Sequence, residues 1–249
     1  MRLGTLEKTF RIIDLLAQQP RGLRLSEMSA ALELPSSSIH HILSTLRAAD
    51  YVDQDADTKR YRLGFKFLII GSTILGHLDI RRTAYSHLRQ LHQKVNETVS
   101  LTILRNGQVT FIDKIQKVGG LSLDTYIGFS TAPHAAASGK VLLSELTRSE
   151  IHAICRTKSL KAYGKNTITG IVQLMGELEN VRKQGYAIDD EEYYEGVRCV
   201  AAPVRAGTKI VAAVSVTGSI FTMTLERIRG EIIRLVKDAA DRVSAALPS

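Results

Sequence analysis

SEMSAALELPSSSIHHILSTLRAADYVDQDADTKRYRLG (Ser26–Gly64) decides the fold of the N-terminal part of this chain. It divides into a helix, Ser26–Leu34, a second helix, Ser36–Ala49, and a short basic hairpin, Tyr51–Gly64. In the second helix Ile39, Ile42, Leu43 and Leu46 recur at i, i+3, i+4 and i+7, so they share one buried face. At about 100° per residue Ser37, His41, Ser44 and Thr45 fall on the opposite face, and all are polar. Ser36 is placed to cap this helix, a role worth about 1 kcal/mol. Pro35 helps to end the helix before it. Helix, tight turn, helix and hairpin in that order make a winged helix-turn-helix, whose second helix enters the DNA major groove. Small hydroxyl side chains allow close approach there and can donate to phosphates or base edges. The same polar face would also suit the solvated side of an ordinary helical hairpin. The wing argues against that. Lys59, Arg60 and Arg62 crowd one strand after the polar run Asp53–Thr58, and cations at a wing tip suit a phosphate backbone.

Upstream, Leu6–Gln18 reads as a helix with Leu6, Phe10, Ile13 and Leu16 or Ala17 as its buried stripe, ended by Pro20 and Gly22. Arg24-Leu25 is expected to be a short strand paired with the wing. Downstream, Phe65–Leu78 (FKFLIIGSTILGHL) is too apolar for an exposed linker. It reads as a linker helix packed on a partner subunit, or else against its own domain. From Asp79 the pattern alternates between helix and strand. Ile80, Ala84, Leu88, Leu91 and Val95 mark a long amphipathic helix. Thr98–Leu104 and Gln108–Ile115 are strands joined at Asn106-Gly107, a strong hairpin signal. Leu121–Ile127 reads as a third strand and Ala136–Glu145 as a helix. Thr147–Glu150 is a capping box, and Ile171–Gln184 is a helix stopped by Gly185. Tyr186–Asp189, Arg198–Arg205 and Lys209–Thr217 are strands. Leu225–Ala246 is a terminal helix with Ile228, Ile232, Leu235, Val236, Ala239 and Val243 inward. Antiparallel hairpins bracketed by helices make one sheet covered on both faces, an α/β (α+β) arrangement.

The chain has 249 residues, room for two modest domains, and a net charge of +8 that favours an anionic partner. Its two cysteines, Cys155 and Cys199, lie in no C-x-x-C pair, which points to a reducing compartment without disulfide framework or zinc cluster. The N-terminus lacks a secretory core and no run of eighteen apolar residues occurs, so a cytoplasmic protein without a membrane partner is expected. No cofactor motif is found.

Three segments read as pocket walls. Thr131–Lys140 (TAPHAAASGK) runs into a helix start, where free N–H groups suit a carboxylate or phosphate, or where small residues simply pack closely. It is not a Walker A loop, because His134 replaces the first glycine and Val141 the Ser/Thr. Gly185–Val204 carries the acidic run Asp189–Glu192 and then Cys199. Such a run is usually a solvated loop, and a metal would need a convergent ligand such as His134. Ala212–Ser219 places Ser215 and Thr217 on one strand face, for a ligand or for the interior. Casting Cys199, His134 and Asp189 as nucleophile, base and orienter gives the alternative reading, an enzyme domain fused to an accessory DNA module. The flanking Val200-Ala201-Ala202 instead suggests a buried thiol.

Along almost its whole length the chain resembles the IclR family of bacterial transcription regulators. The matching runs are L-x-K-x-x-x-I-I-D-L-L, L-S-E-M-S-x-x-L-x-L-P-x-S-S-I-H-x-I-L-x-T-L, Y-V and R-Y-R-L-G. Further on they are P-H-x-x-A-S-G-K-V-L-L, G-Y-A-I-D-D-E-E-x-x-x-G-V-R-C-V-A-A-P-V and A-A-V-S-V-T-G. The resemblance implies a winged-helix DNA-binding domain over 1–64, a linker helix over 65–78 and a GAF-like effector domain over 79–249. It also implies a homodimer or dimer of dimers on double-stranded operator DNA, and a small organic acid as effector. Carried over by position, the effector site comprises Ala137, Ser138, Asp189, Cys199, Ser215 and Thr217. Ser37, Ser38 and His41 take positions that usually face DNA, and Ser26, Thr45, Lys59 and Arg60 complete the expected contacts. The family often has arginine where His41 stands. A histidine, mostly neutral at pH 7, withholds a fixed cation there and implies a different operator or more reliance on the wing.

Overall fold

The computed structural model describes residues 4–76, 78–120, 123 and 125–247, with backbone alone for Thr157 and Lys158. The chain divides into two compact units, residues 1–77 and 78–249.

In the first unit, helices α1 (Thr5–Ala17), α2 (Leu25–Leu32) and α3 (Ser36–Ala48) precede a two-stranded wing, β1 (Val52–Gln54) and β2 (Tyr61–Leu63). Their core gathers Ile12, Leu16, Met28, Ile39, Ile42, Leu43 and Val52. The stripe expected on α1 is rotated: Ile12 and Leu16 are buried, whereas Leu6 and Phe10 stand 67% and 56% exposed and Ala17 is exposed as well. Ser36 does not cap α3. It occupies the first helical turn, and Pro35 stands at the cap without a side-chain bond. The strand expected at Arg24-Leu25 is a single bridge one residue earlier, Leu23 to Tyr61. Arg24 instead precedes α2 and donates its backbone N–H to Glu27 at 2.7 Å. Gly22 is required beside this bridge: its φ is +71°, and a Cβ there would come within 2.6 Å of the Tyr61 carbonyl. Helix α4 (Lys66–Gly76) has no buried residue, and Leu68, Ile69 and Ile74 are each more than half exposed.

The second unit is a six-stranded antiparallel sheet in the order β5-β4-β3-β8-β7-β6. Its strands are β3 (Thr98–Arg105), β4 (Gln108–Ile115), β5 (Ser130–Thr131), β6 (Ala187–Asp190), β7 (Val197–Ala206) and β8 (Lys209–Ser219). Helices α5 (Asp79–Val95) and α10 (Ile233–Ala246) cover one face. Ala84, Leu88, Leu91 and Val95 meet Val236, Ala240 and Val243 there, over Val99, Leu101, Val214 and Val216. The terminal helix is not uniform, since α9 (Leu225–Arg227) leads into a π-helical turn, Ile228–Ile232, before α10. Both ends of that turn are buried, as the inward pattern required. The opposite face carries α6 (Ala137–Leu143), backed by α7 (Arg148–Lys158) and α8 (Ile171–Gln184). The strand expected over Leu121–Ile127 is not found at its described residues. Leu121, Ser122 and Asp124 lie outside the described residues, and the strand on the edge of β4 away from β3 is Ser130–Thr131. Asn106 and Gly107 have φ of 51° and 70°, the left-handed pair that a tight two-residue hairpin demands.

Candidate functional site

The two units present two candidate sites, one an exposed helix face and one a cavity.

On the first unit, α3 exposes Ser37, His41, Ser44 and Thr45, and Ser38 is half-buried. The Thr45 hydroxyl donates to the His41 carbonyl at 3.2 Å, which leaves its lone pairs outward. Ser26 is exposed in the first turn of α2. The wing is preformed. Asp55 accepts the backbone N–H of Thr58 at 2.8 Å and that of Asp57 at 3.2 Å. These bonds, led by Thr58, hold the Asp55 carboxyl below its ordinary range. Lys59 takes a left-handed φ of 58° at the exposed tip. Arg60 behaves differently from the expected phosphate contact. Its guanidinium forks onto both oxygens of Glu27 at 3.0 Å and donates to the Gly22 carbonyl at 2.8 Å. Its charge is met inside the domain, where it ties wing to α2 as a bidentate pair. Arg62 has a looser partner, Asp55 at 3.9 Å, and remains half exposed.

The cavity lies on the α6 face of the sheet. Register explains its composition. Thr98 faces Thr217, Thr217 faces Cys199 and Cys199 faces Asp189, so four side chains from β3, β8, β7 and β6 form one cross-strand row. Ser100 and Ser215 pair in the next row on the same face. All six line one cavity of about 60 Å³, together with Phe111, Thr125, Phe129, Thr131, Ala136, Ser138, Tyr193 and Tyr194. Ser138, Asp189, Cys199, Ser215 and Thr217 therefore converge. Ala137 does not: it points into the apolar cluster with Val141 and Ala201, and its neighbour Ala136 faces the cavity. Gly139 holds this segment in place, because a Cβ there would fall 2.2 Å from the Pro133 carbonyl. Thr98 and Ser100 escaped the sequence reading, although the alternation that singled out Ser215 and Thr217 applies equally to β3. Thr131, Tyr193 and Tyr194 fall within segments read as pocket walls without being singled out, and Phe111 and Phe129 gave no local signal.

The cavity's electrostatics follow from burial. Asp189 is 6% exposed, accepts the Glu192 backbone N–H at 2.8 Å, and is pushed up to about 7, chiefly by desolvation. Cys199 is pushed up to about 12 by burial and by the neighbouring Asp189; its sulfur accepts the Thr217 hydroxyl at 3.2 Å. It is a buried thiol, not an activated nucleophile. His134 donates from Nε2 to the Lys161 carbonyl at 2.9 Å and lines a different cavity beside Cys155. Cys199, His134 and Asp189 thus do not assemble as a catalytic set. Behind the cavity Lys140 is 1% exposed and reaches Glu192 at 2.6 Å, Glu177 at 3.2 Å and the Ile188 carbonyl. The Thr131 hydroxyl is buried and finds no partner among the described residues, an unmet hydrogen-bonding group in the cavity wall.

A winged helix with a polar recognition face, in one chain with a sheet domain whose small cavity is lined by hydroxyls, a carboxyl and aromatic rings, is the arrangement of a DNA-binding regulator. The IclR helix-turn-helix domain matches residues 5–56, and the bacterial transcriptional regulator IclR C-terminal domain matches residues 72–245. The chain belongs to the IclR family. It is 34% identical over 218 residues to the HTH-type transcriptional regulator XynR of Escherichia coli, covering 86% of each chain. To the regulator KdgR of the same organism it is 31% identical over 242 residues, covering 96% of this chain and 91% of that one. Among solved structures, the IclR of Thermotoga maritima superposes with a TM-score of 0.79 at 30% identity, over 97% of both chains. Among the described residues no helix is long and apolar enough to cross a membrane.

Proposed function

We propose that operator binding by this regulator is controlled by a small organic carboxylate seated in the cavity over β3, β8, β7 and β6. The polar row Thr98–Thr217–Cys199–Asp189 carries this reading. A row of two hydroxyls and a thiol, ending in a buried carboxyl that is neutral over part of the physiological range, offers both donors and acceptors to a compact ligand. Residues 79–249 form the effector domain and 65–78 the linker helix. Residues 1–64 form the DNA-binding domain, with Ser26, Ser37, Ser38, His41, Thr45 and Lys59 at the duplex. Arg60 serves this surface as a brace. Relatives named as repressors, the acetate operon repressor of Salmonella typhimurium among them, favour repression as the mode of control. The exposed apolar residues of α4 suit burial between two copies in a homodimer, or a dimer of dimers.

The test is a titration of fluorescent duplex DNA flanking the chain's own gene, with and without candidate carboxylates. His41→Ala should weaken or re-target operator binding while leaving effector affinity intact, and Ser215→Ala should do the reverse. A duplex affinity independent of salt would refute the DNA-binding half, since each phosphate contacted contributes a log–log slope of about −0.9. Effector affinity unchanged in both Ser215→Ala and Asp189→Ala would remove the cavity from the effector site.

A further inference from the structure

Lys114 stands on the cavity side of the sheet for a reason invisible in strand alternation. In β4, Lys114 pairs with Ser100 and Phe111 pairs with Thr102, with a bulge between the two pairs. Ser100 and Thr102 share a face, so the bulge brings Phe111 and Lys114 onto that face together. Without it, residues three apart would point oppositely. The side chain then turns to the segment covering the cavity. Its ammonium group donates to the Thr125 carbonyl at 2.6 Å and to the Thr125 hydroxyl at 2.9 Å, and Thr125 lines the cavity.

Among the described residues this ammonium group meets no carboxylate. Two other lysines of the same unit reach carboxylates, Lys117 with Glu97 at 3.3 Å and Lys140 with Glu192 at 2.6 Å, whereas half-buried Lys237 donates to the Gln184 carbonyl. Asp113, next in sequence, faces away and meets Arg81 at 3.5 Å. Burial lowers the Lys114 pKa, and among the described residues no neighbouring acid offsets that cost. A partly buried cation without a counter-ion is expensive to keep unless an anion arrives. The Thr125 oxygen accepts from Lys114, so its own hydroxyl proton is available to another acceptor. The Thr131 hydroxyl, without a partner among the described residues, lines the same cavity, as do the Phe111 and Phe129 rings, 6.0 Å apart.

We infer that Lys114, acting with the Thr125 hydroxyl, binds the carboxylate of the effector, and that Asp189 at the far edge of the sheet receives a hydroxyl of the same molecule. The effector class is therefore a hydroxy acid. This rests on the cavity being the effector site, as proposed above.

The test is calorimetric titration of the full-length chain with two acids whose hydroxyl is remote from the carboxylate, and their neutral amides: gluconate and gluconamide, 4-hydroxybenzoate and 4-hydroxybenzamide. At least one acid should bind more tightly than its amide. Lys114→Met should weaken that acid at least about tenfold, or 1.4 kcal/mol, and leave the amide unchanged. Lys114→Arg should restore most of the loss, and Lys114→Gln provides a second neutral variant should Met perturb folding. Equal losses for acid and amide would overturn the role of Lys114. Acid binding weakened by Ser215→Ala but untouched in both neutral Lys114 variants would refute this inference and leave the cavity reading standing. If no acid binds the wild type, or neither Ser215→Ala nor Asp189→Ala affects one that does, the cavity reading fails and this inference with it.

Discussion

Replacing Asp189 by asparagine should make the protein more stable, and by an amount that depends on pH. The carboxyl is pushed from an ordinary 3.8 to about 7 in the folded chain. The unfolded chain therefore ionises this group three units earlier, and ionisation favours unfolding. The sign follows: the penalty is absent below about pH 4, grows between pH 4 and 7, and is complete above it. At 1.36 kcal/mol per unit, three units amount to about 4 kcal/mol. Asparagine stays neutral throughout, and its Oδ1 can still accept the Glu192 N–H that Asp189 accepts now. For a protein of this size about 4 kcal/mol corresponds to roughly 10 °C in melting temperature. Thermal melts of wild type and Asp189→Asn from pH 4 to pH 9 test this. The two should nearly coincide at the acid end and diverge to a plateau above neutrality. A difference that does not change with pH, or a variant less stable at pH 8, would refute the reasoning. Retaining a side chain at such a cost is understandable where a ligand uses it.

Other expectations concern the wing, the buried lysine and the thiols. Lys59→Ala should weaken operator binding and reduce the salt slope by about 1, as loss of a phosphate contact requires. Arg60→Ala should weaken binding with the slope nearly unchanged; a slope reduced by a full unit would show that Arg60 reaches phosphate and not only Glu27. Lys140→Met should cost about 3–5 kcal/mol in urea unfolding, because Glu192 would lose its ionic partner in the interior. A loss below about 1 kcal/mol would contradict that account of the network. In native protein at pH 8, iodoacetamide should modify half-buried Cys155 before Cys199, whose thiol is held at about 12. Peptide mass mapping showing Cys199 labelled first would mean that the sheet opens there.

What the sequence determined by itself is what depends on neighbours along the chain. The 3.6-residue spacing in Ser36–Ala49 produced α3 with Ile39, Ile42 and Leu43 inward and the hydroxyls outward. Asn106-Gly107 fixed a hairpin, because few other pairs accept two left-handed residues in succession. Period-two alternation placed Ser215 and Thr217 on one face, and the cavity lies over that face. Matters set by partners far along the chain were decided only by the tertiary structure. Arg60 reads as a surface cation until Glu27, 33 residues away, takes its guanidinium. Lys140 reads as an ordinary helix lysine until Glu192, 52 residues on, receives it in the interior. Ala136 and Ala137 are indistinguishable as letters, yet Ala136, extended just before α6, lines the cavity, while Ala137, the first residue of the helix, packs with Val141 and Ala201. Lys114 depends on a bulge, which arises from how β4 registers against β3 and not from its own composition. Propensity and period act over a few residues, whereas charge pairing and register are settled by which elements meet in space.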